Sequence, residues 1–404
     1  MRIAIIGGGA AGFFSAIAAK GNYPEAEVII FEKSNSLLAK VKLSGGGRCN
    51  LTNACISNKE LTAAYPRGRK QLKYIFQIFN NKDTVKWFGE RGVPLVVQKD
   101  NCVFPESQNS QSIIDCFINE AKILGVKVKT NHSLKAVSPN NNKLGLKFDD
   151  KEESLMFYDK VIVAVGGKPQ KSEMVWLEDL NHKISDPVPS LFTFNMPDES
   201  INTLMGVAVE NTIVSIEGED IKQTGSVLFT HWGMSGPAVL KLSSYEARIL
   251  SEKNYVFTVQ INWTGEKNTS IVLAELKDII KKYPNKLAVN IRPYGLPSRL
   301  WAFLLKKASI SDQKKCCELG KKNTNRLVSF LTNDLYGVRG KTSFKGEFVT
   351  CGGVSLDSIN ITTMESLVCP NLYFAGEILD IDGITGGFNL QAAWSTAYIA
   401  GKLI

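Results

Sequence analysis

A cluster of small residues near the start of the chain has the spacing needed to hold two linked phosphate groups. Gly7, Gly9 and Gly12 satisfy the pattern G-x-G-x-x-G, and Ala10 and Ala11 fill the last two variable positions. In this pattern the first glycine allows a tight turn, the second lets backbone approach a pyrophosphate, and the third lets a helix pack on a strand. The free N–H groups and positive dipole end of that helix attract phosphate. The pattern therefore predicts a dinucleotide-binding turn.

A carboxylate follows at the position where the ribose of such a dinucleotide is bound. Glu32 closes the apolar run Val28–Phe31 and stands 20 residues after Gly12. At this distance an acid accepts hydrogen bonds from a ribose diol. Lys33, the next residue, is included in the predicted cofactor site. The pattern alone does not choose between NAD and FAD, because both adopt it.

A second glycine-rich loop offers another place for a ligand. It reads Ser-Gly-Gly-Gly-Arg-Cys-Asn-Leu-Thr-Asn from Ser44 to Asn53. Glycines let the backbone approach a ligand or form an anion-binding nest, and arginine adds a fixed cation. A plain surface loop with turn-forming residues is the alternative. The predicted cofactor contacts in this loop are Ser44, Gly45, Gly46, Gly47, Arg48, Cys49, Asn50 and Thr52. The spacing from Cys49 to Cys55 does not suit a redox cysteine pair, so a dithiol mechanism is not expected.

The last part of the chain has the order strand, acid, glycine loop and helix. The run from Asn371 to Glu377 is predicted to be a turn, a buried strand and then the acid, and a helical run extends from Leu390 to Leu403. The acid at the strand end can bind ribityl or phosphate groups, and the helix N-terminus can face the flavin N1–C2=O region. This order favours FAD over NAD, although a terminal packing helix is the alternative. The predicted contacts here are Gly376, Glu377, Asp382, Gly386, Gly387, Phe388, Asn389 and Gln391.

These residues require a parallel sheet that brings the two ends of the chain together. Arg2–Ile6, Val28–Phe31 and Val161–Val165 are apolar runs typical of buried strands, and Ala10–Lys20 is predicted to be a helix. Ala164, Gly166 and Gly167, at the end of the third strand, are expected to pass the cofactor. Residues 126–160, with polar turns at Pro139–Asn142 and Asp149–Glu153, are predicted to form a β-meander that crosses over this sheet. The fold class predicted from these elements is α/β and Rossmann-like.

The motifs together resemble the BaiN/YhiN-type bacterial flavoproteins, which are aminoacetone oxidase-like FAD-binding enzymes. The most specific run is Gly-Glu-Ile-Leu-Asp-Ile-Asp-Gly-Ile-Thr-Gly-Gly-Phe-Asn-Leu-Gln from Gly376 to Gln391. The resemblance implies a two-dinucleotide-binding-type FAD domain interrupted by a β-barrel and a small helical domain. In the family a Gly-Arg-Lys segment precedes the second glycine loop. Here Leu38-Ala39-Lys40 stands there, so the resemblance assigns only Lys40 to the cofactor.

We accordingly predict a discontinuous FAD-binding domain formed by residues 1–190 and 345–404. Residues 191–268 and 336–344 are predicted to form the β-barrel insert, and residues 269–335 the helical insert. The helices expected in the latter are Ser270–Lys282, Leu296–Ala308, Ser311–Leu319 and Asn323–Leu335.

Composition limits the class of protein. The 404 residues are 44% hydrophobic and 22% charged, which excludes a disordered or collagen-like chain. The uncharged stretch Ile3–Ala19 imitates a signal peptide, but its strand–turn–helix order explains it better. Eight scattered cysteines and three histidines give no metal-ligand spacing, so we predict no metal site. We expect a cytoplasmic protein that does not enter a membrane, and the sequence leaves its oligomeric state open.

One histidine has surroundings that suit a substrate pocket. His231 lies in the run Phe229–Pro237 beside Trp232 and two glycines. Its near-neutral pKa would let it donate or accept a proton beside a flavin. We predict His231 as the catalytic residue, and a structural histidine is the alternative.

The resulting hypothesis is an FAD-dependent oxidoreductase that transfers hydride between the flavin and a small organic substrate. The resemblance implies amine oxidation or reduction of an activated alkene. Only one strand–GxGxxG–helix unit is visible, so NAD(P)H, if used, would bind transiently as reductant. The alternative is a flavin-containing RNA-binding or RNA-modifying factor that uses the lysine-rich helical insert. Against it, no aromatic residue lies between Ala308 and Leu327 for bases to stack on. A third possibility is a sensor that binds FAD without turnover.

Overall fold

The fold was determined as a computed structural model, which describes residues 1–149, 155–265, 267–342 and 349–404. Its helices are α1 Ala10–Asn22, α2 Ala39–Gly47, α3 Asn58–Ala63, α4 Arg69–Ile78, α5 Asn81–Gly89, α6 Gln111–Ile123, α7 Val175–Glu178, α8 Pro237–Tyr245, α9 Ala247–Glu252, α10 Thr269–Lys282, α11 Ser298–Lys307, α12 Gly320–Thr332 and α13 Phe388–Ala400. Its strands are β1 Arg2–Ile6, β2 Glu27–Phe31, β3 Thr52–Asn53, β4 Leu95–Val97, β5 Cys102–Pro105, β6 Lys127–Lys129, β7 Leu134–Asn140, β8 Lys143–Phe148, β9 Met156–Tyr158, β10 Lys160–Val163, β11 Ile184–Ser190, β12 Thr193–Asn195, β13 Ala208–Ile216, β14 Lys222–Phe229, β15 Gly233–Ser235, β16 Val256–Asn262, β17 Asp334–Arg339, β18 Lys341–Thr342, β19 Val349–Val354 and β20 Leu372–Phe374.

The chain forms two compact units. The first unit combines Met1–Ser190 with Phe344–Ile404, and the second is Leu191–Ser343. The predicted division of the second unit into a barrel and a helical domain stays a prediction. The predicted boundary between residues 344 and 345 falls within 343–348, outside the described residues.

The first unit is built on a parallel sheet whose strand order is β20-β10-β1-β2-β6. The central strand β1 pairs Ile5 with Ile30 of β2 and with Ile162 of β10. These three side chains are fully buried, as expected for strands that are covered on both faces. The C-terminal strand β20 pairs with β10, so both ends of the chain contribute to one sheet. The predicted Rossmann-like α/β fold is confirmed.

Short antiparallel sheets are attached to this framework in the orders β3-β5-β4, β7-β8-β9 and β11-β19. The sequence predicts one β-meander over residues 126–160, and the structure divides this segment. Its first strand, β6, joins the parallel sheet, while β7, β8 and β9 form the antiparallel sheet. The predicted polar turn that begins at Asp149 continues into residues 150–154, which lie outside the described residues.

The second unit has its own hydrophobic core and an antiparallel sheet in the order β17-β16-β13-β14-β15-β12-β18. Closure of this sheet into a barrel remains a prediction. Three of the predicted helices are found, as α10, α11 and α12. The helix predicted over Ser311–Leu319 is wrong, since only Cys316–Glu318 form a short 3-10 turn. Backbone groups of this segment instead bond to the chain before α11, where Ala288 N donates to Lys314 O at 2.8 Å.

In the described part of the chain, no helix combines the length and the apolar character needed to cross a bilayer.

Candidate cofactor-binding site

Packing explains two glycines of the first loop. Gly7 has a φ of +115°, and a Cβ at this position would lie 2.3 Å from the carbonyl oxygen of Ala164 on the neighbouring strand segment. A Cβ on Gly12 would lie 1.8 Å from the carbonyl oxygen of Gly7. Any larger side chain would therefore separate α1 from the sheet. Both residues fix the position of the helix N-terminus.

The third glycine of the pattern, Gly9, faces open space instead. It is the N-cap of α1, and a Cβ built on it meets nothing within 4 Å. No side chain caps this helix, and its first turn, which begins at Ala10 and the buried Ala11, holds no acidic residue. The first N–H groups of a helix have no partner within the helix and carry a partial positive charge. The turn thus presents an uncovered surface that fits a pyrophosphate.

Glu32, the residue predicted to bind the ribose, contacts this loop from the opposite side. One carboxylate oxygen of Glu32 accepts from Gly8 N at 2.8 Å, and the other accepts from Ser34 N at 3.0 Å. The second oxygen also accepts from Ser34 Oγ at 2.9 Å, so the oxygen that faces Gly8 keeps the capacity for a hydrogen bond from a ribose hydroxyl. Lys33 is exposed beside Glu32. No pattern in the sequence indicates the contact with Ser34.

The second glycine loop interrupts α2. Ser44 leaves the helical conformation, and Gly45, Gly46 and Gly47 all have positive φ. A Cβ on Gly46 would meet nothing within 4 Å, so the loop surface is open there. The Arg48 guanidinium carbon lies 4.3 Å from the centre of the Phe104 ring, and its Nε donates to Gly45 O at 3.2 Å. These contacts hold the cation against the loop.

Cys49 is a free cysteine that is buried in this loop. Burial raises the pKa of its thiol to about 12. A thiol with a raised pKa is a weaker nucleophile at neutral pH. The absence of a dithiol mechanism stays a prediction.

Hydrogen bonds join the second loop to the C-terminal helix. The side-chain amide of Asn50 is oriented so that both of its polar atoms form hydrogen bonds. In this orientation its oxygen accepts from Gly387 N at 3.2 Å. Thr52 Oγ1 donates to Gln391 Oε1 at 2.5 Å, and Gln391 Nε2 donates to Ser395 Oγ at 2.9 Å. Because Gln391 is fully buried and its amide is used internally, this contact positions α13. A Cβ on Gly387 would lie 2.6 Å from Thr52 O, so only glycine permits this approach.

Glu377 lies at the end of β20, opposite the glycines that follow β10. It accepts from Thr350 N at 3.0 Å, and its other oxygen lies 2.6 Å from Lys40 Nζ. A Cβ on Gly167 would lie 2.7 Å from Glu377 Oε1, while Gly166 remains more open, with Glu377 no nearer than 4.0 Å. The backbone N–H of Gly376 donates to Thr396 Oγ1 of α13 at 2.9 Å.

Thr350 is a candidate that sequence reasoning missed. Its side chain is 2% exposed, and its Oγ1 has no hydrogen-bond partner among the described residues. It lies beside Gly167, where a Cβ would be 2.4 Å away. A buried hydroxyl without a partner is costly, so a bound polar group would satisfy it. Only the fold brings residue 350 to this position, so no local sequence signal could have identified it.

The glycine loop before α13 contains a buried ion pair. Asp382 is fully buried and binds both Nε and Nη2 of Arg67, with the Nε contact at 2.6 Å. Ser190 Oγ donates to the same carboxylate at 2.8 Å. Burial raises the pKa of Asp382, and the Arg67 guanidinium opposes this shift. Asp382 is among the residues predicted from the sequence, whereas Arg67 and Ser190 are not, because they are far away in the chain.

Two further contacts shape the same loop. Asn389 Oδ1 accepts from Gly383 N at 2.8 Å and its Nδ2 donates to Gly383 O at 2.9 Å. Tyr65 Oη donates to the carbonyl oxygen of Phe388 at 2.6 Å. Gly386 has a φ of +125° and its carbonyl accepts from Asn53 Nδ2 at 3.3 Å. The first turn of α13 contains no acidic residue, so its N-terminus can face negative charge.

His231 belongs to the second unit, in the turn between β14 and β15. It is exposed, and the centres of its ring and the Trp232 ring are 4.2 Å apart. Its catalytic role stays a prediction. Within the described ranges, no three His, Cys, Asp or Glu side chains converge as a metal site.

The features of the first unit fit a dinucleotide that carries a flavin. The open backbone at Gly9 and Gly46, the buried Thr350 hydroxyl and the uncapped helix N-termini are all places that a phosphorylated, hydrogen-bonding group can fill.

Known proteins support this interpretation. A 3-dehydro-bile acid delta(4,6)-reductase of Clostridium scindens is 27% identical over 409 residues, covering 99% of this chain and 98% of the relative. A ribosomal RNA dihydrouridine synthase of Haemophilus influenzae is 28% identical over 407 residues, covering 98% of this chain and 96% of the relative. The solved 3-ketosteroid-delta4-(5alpha)-dehydrogenase of Rhodococcus jostii RHA1 has 11% identity and a TM-score of 0.52, covering 99% of this chain and 95% of that chain. This last likeness shows the fold alone.

A family match covers nearly the whole chain, since residues 1–403 match the family described as HI0933-like protein Rossmann domain. It confirms the resemblance to BaiN/YhiN-type flavoproteins. The chain belongs to the family described as HI0933-like protein Rossmann domain.

Proposed function

We propose that the enzyme reduces a carbon–carbon double bond conjugated to a carbonyl group. The names of two relatives support this proposal, because they describe one kind of reaction on different substrates. A 3-dehydro-bile acid delta(4,6)-reductase acts on double bonds in conjugation with a ketone. A dihydrouridine synthase saturates the double bond of uracil that is conjugated to a ring carbonyl.

The flavin would be held by groups of the first unit. We propose that the pyrophosphate lies on the α1 N-terminus at Gly7–Gly12, that Glu32 binds the adenosine ribose, and that the flavin ring lies near Gly386–Asn389. Bound FAD supplies hydride from its N5 position. Because only one strand–GxGxxG–helix unit is present in the sequence, we propose that NAD(P)H binds transiently as the electron donor.

The observation that carries the proposal is the Arg67–Asp382 pair in the loop that precedes α13. Hydride addition to the carbon remote from the carbonyl moves an electron pair onto the carbonyl oxygen, and a proton then adds to the adjacent carbon. A fixed guanidinium stabilises that developing negative charge. Arg67 is 15% exposed while its Asp382 partner is fully buried, so the pair holds the cation in a defined place. We propose that Arg67 polarises the carbonyl.

Anaerobic spectroscopy tests the proposal. The purified protein is loaded with FAD, reduced with NADH or NADPH, and mixed with a 4-en-3-one steroid or a uridine-containing RNA. We expect the flavin band near 450 nm (roughly) to bleach on reduction and to return when a conjugated substrate is reduced. Saturated product should form in an amount equal to the flavin reoxidised.

Two results would contradict the proposal. If reduced flavin stays reduced with every conjugated substrate but is oxidised by oxygen, alkene reduction is wrong. If candidate amines bleach the oxidised flavin, the amine oxidation implied by the family resemblance replaces it.

A uridine in RNA is the second candidate substrate, and the charge distribution of the second unit favours it.

A further inference from the structure

Most of the net positive charge of the chain arises in one segment. Residues 269–335 contain thirteen lysines and arginines against five aspartates and glutamates, a net charge of +8 out of +9 for the whole chain. One of these lysines is used internally, since Lys307 Nζ lies 2.6 Å from the buried carboxylate of Asp334. Most of the others are exposed. Such a segment attracts an anionic partner over long distances.

Two chain segments bring part of this charge around an exposed aromatic ring. Tyr283 is 40% exposed, and the Nζ atoms of Lys282 and Lys286 lie 5.4 and 5.1 Å from its ring centre. We call these residues, together with Lys314 and Lys315, the lysine–tyrosine patch. The second segment is tied to the first, because Leu287 forms a β-bridge with Lys315.

Interaction with the dipole of α10 explains only some of these lysines. Lysines in the last turn of α10 stabilise its dipole, and that accounts for Lys281 and Lys282. It does not account for Lys286, Lys314 and Lys315, which lie beyond the helix. Glu318 is close to this edge, where its carboxylate accepts from Lys315 N at 2.8 Å. Lysines around an exposed ring are the arrangement that binds single-stranded nucleic acid, because bases stack on the ring and phosphates pair with the cations.

We propose that the lysine–tyrosine patch binds single-stranded RNA, with a base stacked on Tyr283 and phosphates on the surrounding lysines. The inference rests on the proposed function, and it names RNA as the substrate class. A membrane surface fits less well, because interfacial binding needs a broad apolar face, whereas this patch offers a single ring among cations.

Binding of a fluorescent, uridine-rich, single-stranded RNA tests the inference on the full-length holoenzyme. We expect wild-type affinity to fall steeply with salt. The double variant Lys282→Gln/Lys286→Gln should bind more weakly, with a salt slope reduced by about 1.4, because two phosphate contacts are lost. Tyr283→Ala should weaken binding about tenfold through loss of stacking.

The matched control is Lys99→Gln/Lys122→Gln, which removes the same charge from exposed positions in the first unit. It should bind RNA like the wild type. Equal weakening in both double variants would mean that only net charge matters, and the patch would not be a site. Binding to anionic phosphatidylglycerol vesicles with no RNA binding would also overturn the inference. Unchanged thermal unfolding shows that each variant is folded.

A chemical footprint gives a second readout. Cys317 is exposed, and its backbone N–H donates to Pro284 O at 3.0 Å, directly after Tyr283. Bound RNA should slow alkylation of Cys317 and leave Cys55, in the first unit, unchanged. Equal alkylation with and without saturating RNA would place the RNA elsewhere.

Failure of the inference can be distinguished from failure of the proposed function. An enzyme that reduces a steroid enone but binds no RNA keeps the function and loses the docking surface. An enzyme that binds RNA through the patch but reduces no conjugated substrate keeps the surface and loses the function.

Discussion

At the scale of single residues, the three glycines of the first loop differ in what surrounds them. Gly7 and Gly12 are required by packing, because a Cβ would collide with backbone carbonyl oxygens. Gly9 has no neighbour within reach of a Cβ. The glycines of this motif therefore have different roles. A substitution at Gly9 should change cofactor affinity, whereas one at Gly7 or Gly12 should change the stability of the fold.

We predict that Gly9→Ala weakens FAD binding with little effect on the stability of the apoprotein. The methyl group would obstruct hydrogen bonds to the pyrophosphate, so the dissociation constant should rise about tenfold. Gly12→Ala should instead lower the free energy of unfolding by about 1–3 kcal/mol through overpacking. Gly21→Ala, an open position in the same helix, is the control. Titration calorimetry and urea unfolding give the two quantities, and equal affinity in Gly9→Ala and wild type would refute this assignment.

The buried ion pair leads to a second prediction. Asp382→Asn leaves the Arg67 guanidinium without its counter-charge and should lower the free energy of unfolding by about 3 kcal/mol. Replacing both partners, as Arg67→Met/Asp382→Leu, should cost less, because no uncompensated charge remains. Urea unfolding of both variants measures the difference. If the double variant were less stable than Asp382→Asn, the pair would stabilise the fold by more than the attraction between its charges.

The site residues that the sequence could predict are those whose signal is local. The glycine pattern, the strand that ends at Glu32 and the loop before α13 are continuous stretches of sequence. Their chemistry can therefore be inferred without knowledge of the fold. Arg67, Ser190 and Thr350 reach the site only through long-range contacts, and a single arginine or threonine has no pattern around it. Cys49 shows the reverse case, since its local sequence does not indicate that its thiol is buried.

At the scale of elements, apolar strands and amphipathic helices were predictable to within a few residues. Strands β20, β10, β1 and β2 of the parallel sheet are largely buried and apolar, whereas the edge strand β6 is exposed. The predicted helix over Ser311–Leu319 failed because its backbone groups bond to a distant segment near Ala288. Helical propensity cannot anticipate such pairing, because the partner is remote in sequence.

The N-terminal strand gives a prediction about pH. Asp159 accepts from Arg2 N at 2.6 Å, and this hydrogen bond lowers the pKa of Asp159. Hydrogen bonds from Lys127 and then Arg2 lower the pKa of Glu27. Because these carboxyl groups bind protons less readily in the folded state, their stabilisation is present at neutral pH and is lost as the pH falls through the lowered pKa values.

Thermal unfolding between about pH 7 and about pH 3 measures this effect. We expect Asp159→Asn to melt at a lower temperature than wild type at neutral pH and to lose less stability in acid. Parallel curves for the two proteins would show that Asp159 does not anchor β1. Asp100→Asn provides a control, since Asp100 lies in an exposed turn and its carboxylate caps the nearby Cys102 N–H.

At the scale of the molecule, the second unit is an insertion whose two ends lie side by side. Its first and last strands pair, with Thr193 opposite Thr342. In the first unit, Ser190 is likewise paired with Val349. Each unit also has its own hydrophobic core. An inserted segment whose two ends lie close together can be removed, and the flanking chain can be rejoined by a short linker.

We therefore predict that residues 191–342 fold alone, and that residues 1–190 joined to 349–404 by a short Gly-Ser linker still bind FAD. Each fragment should unfold cooperatively in circular dichroism, and the second should retain a flavin spectrum. The insert fragment should also bind RNA if the lysine–tyrosine patch is a site. A fragment that remains unfolded would show that the units depend on each other.

The parallel sheet also has a consequence for biosynthesis. Strand β10 receives its outer neighbour from β20, and the loop that ends at Asn53 receives its partners from α13. Both partners lie far downstream of the elements that they complete. A nascent chain therefore carries an incomplete nucleotide cradle and an unpaired strand edge until residues 372–400 have been synthesised. We expect flavin insertion to follow the synthesis of α13, and deletion of this thirteen-residue helix should abolish cofactor loading.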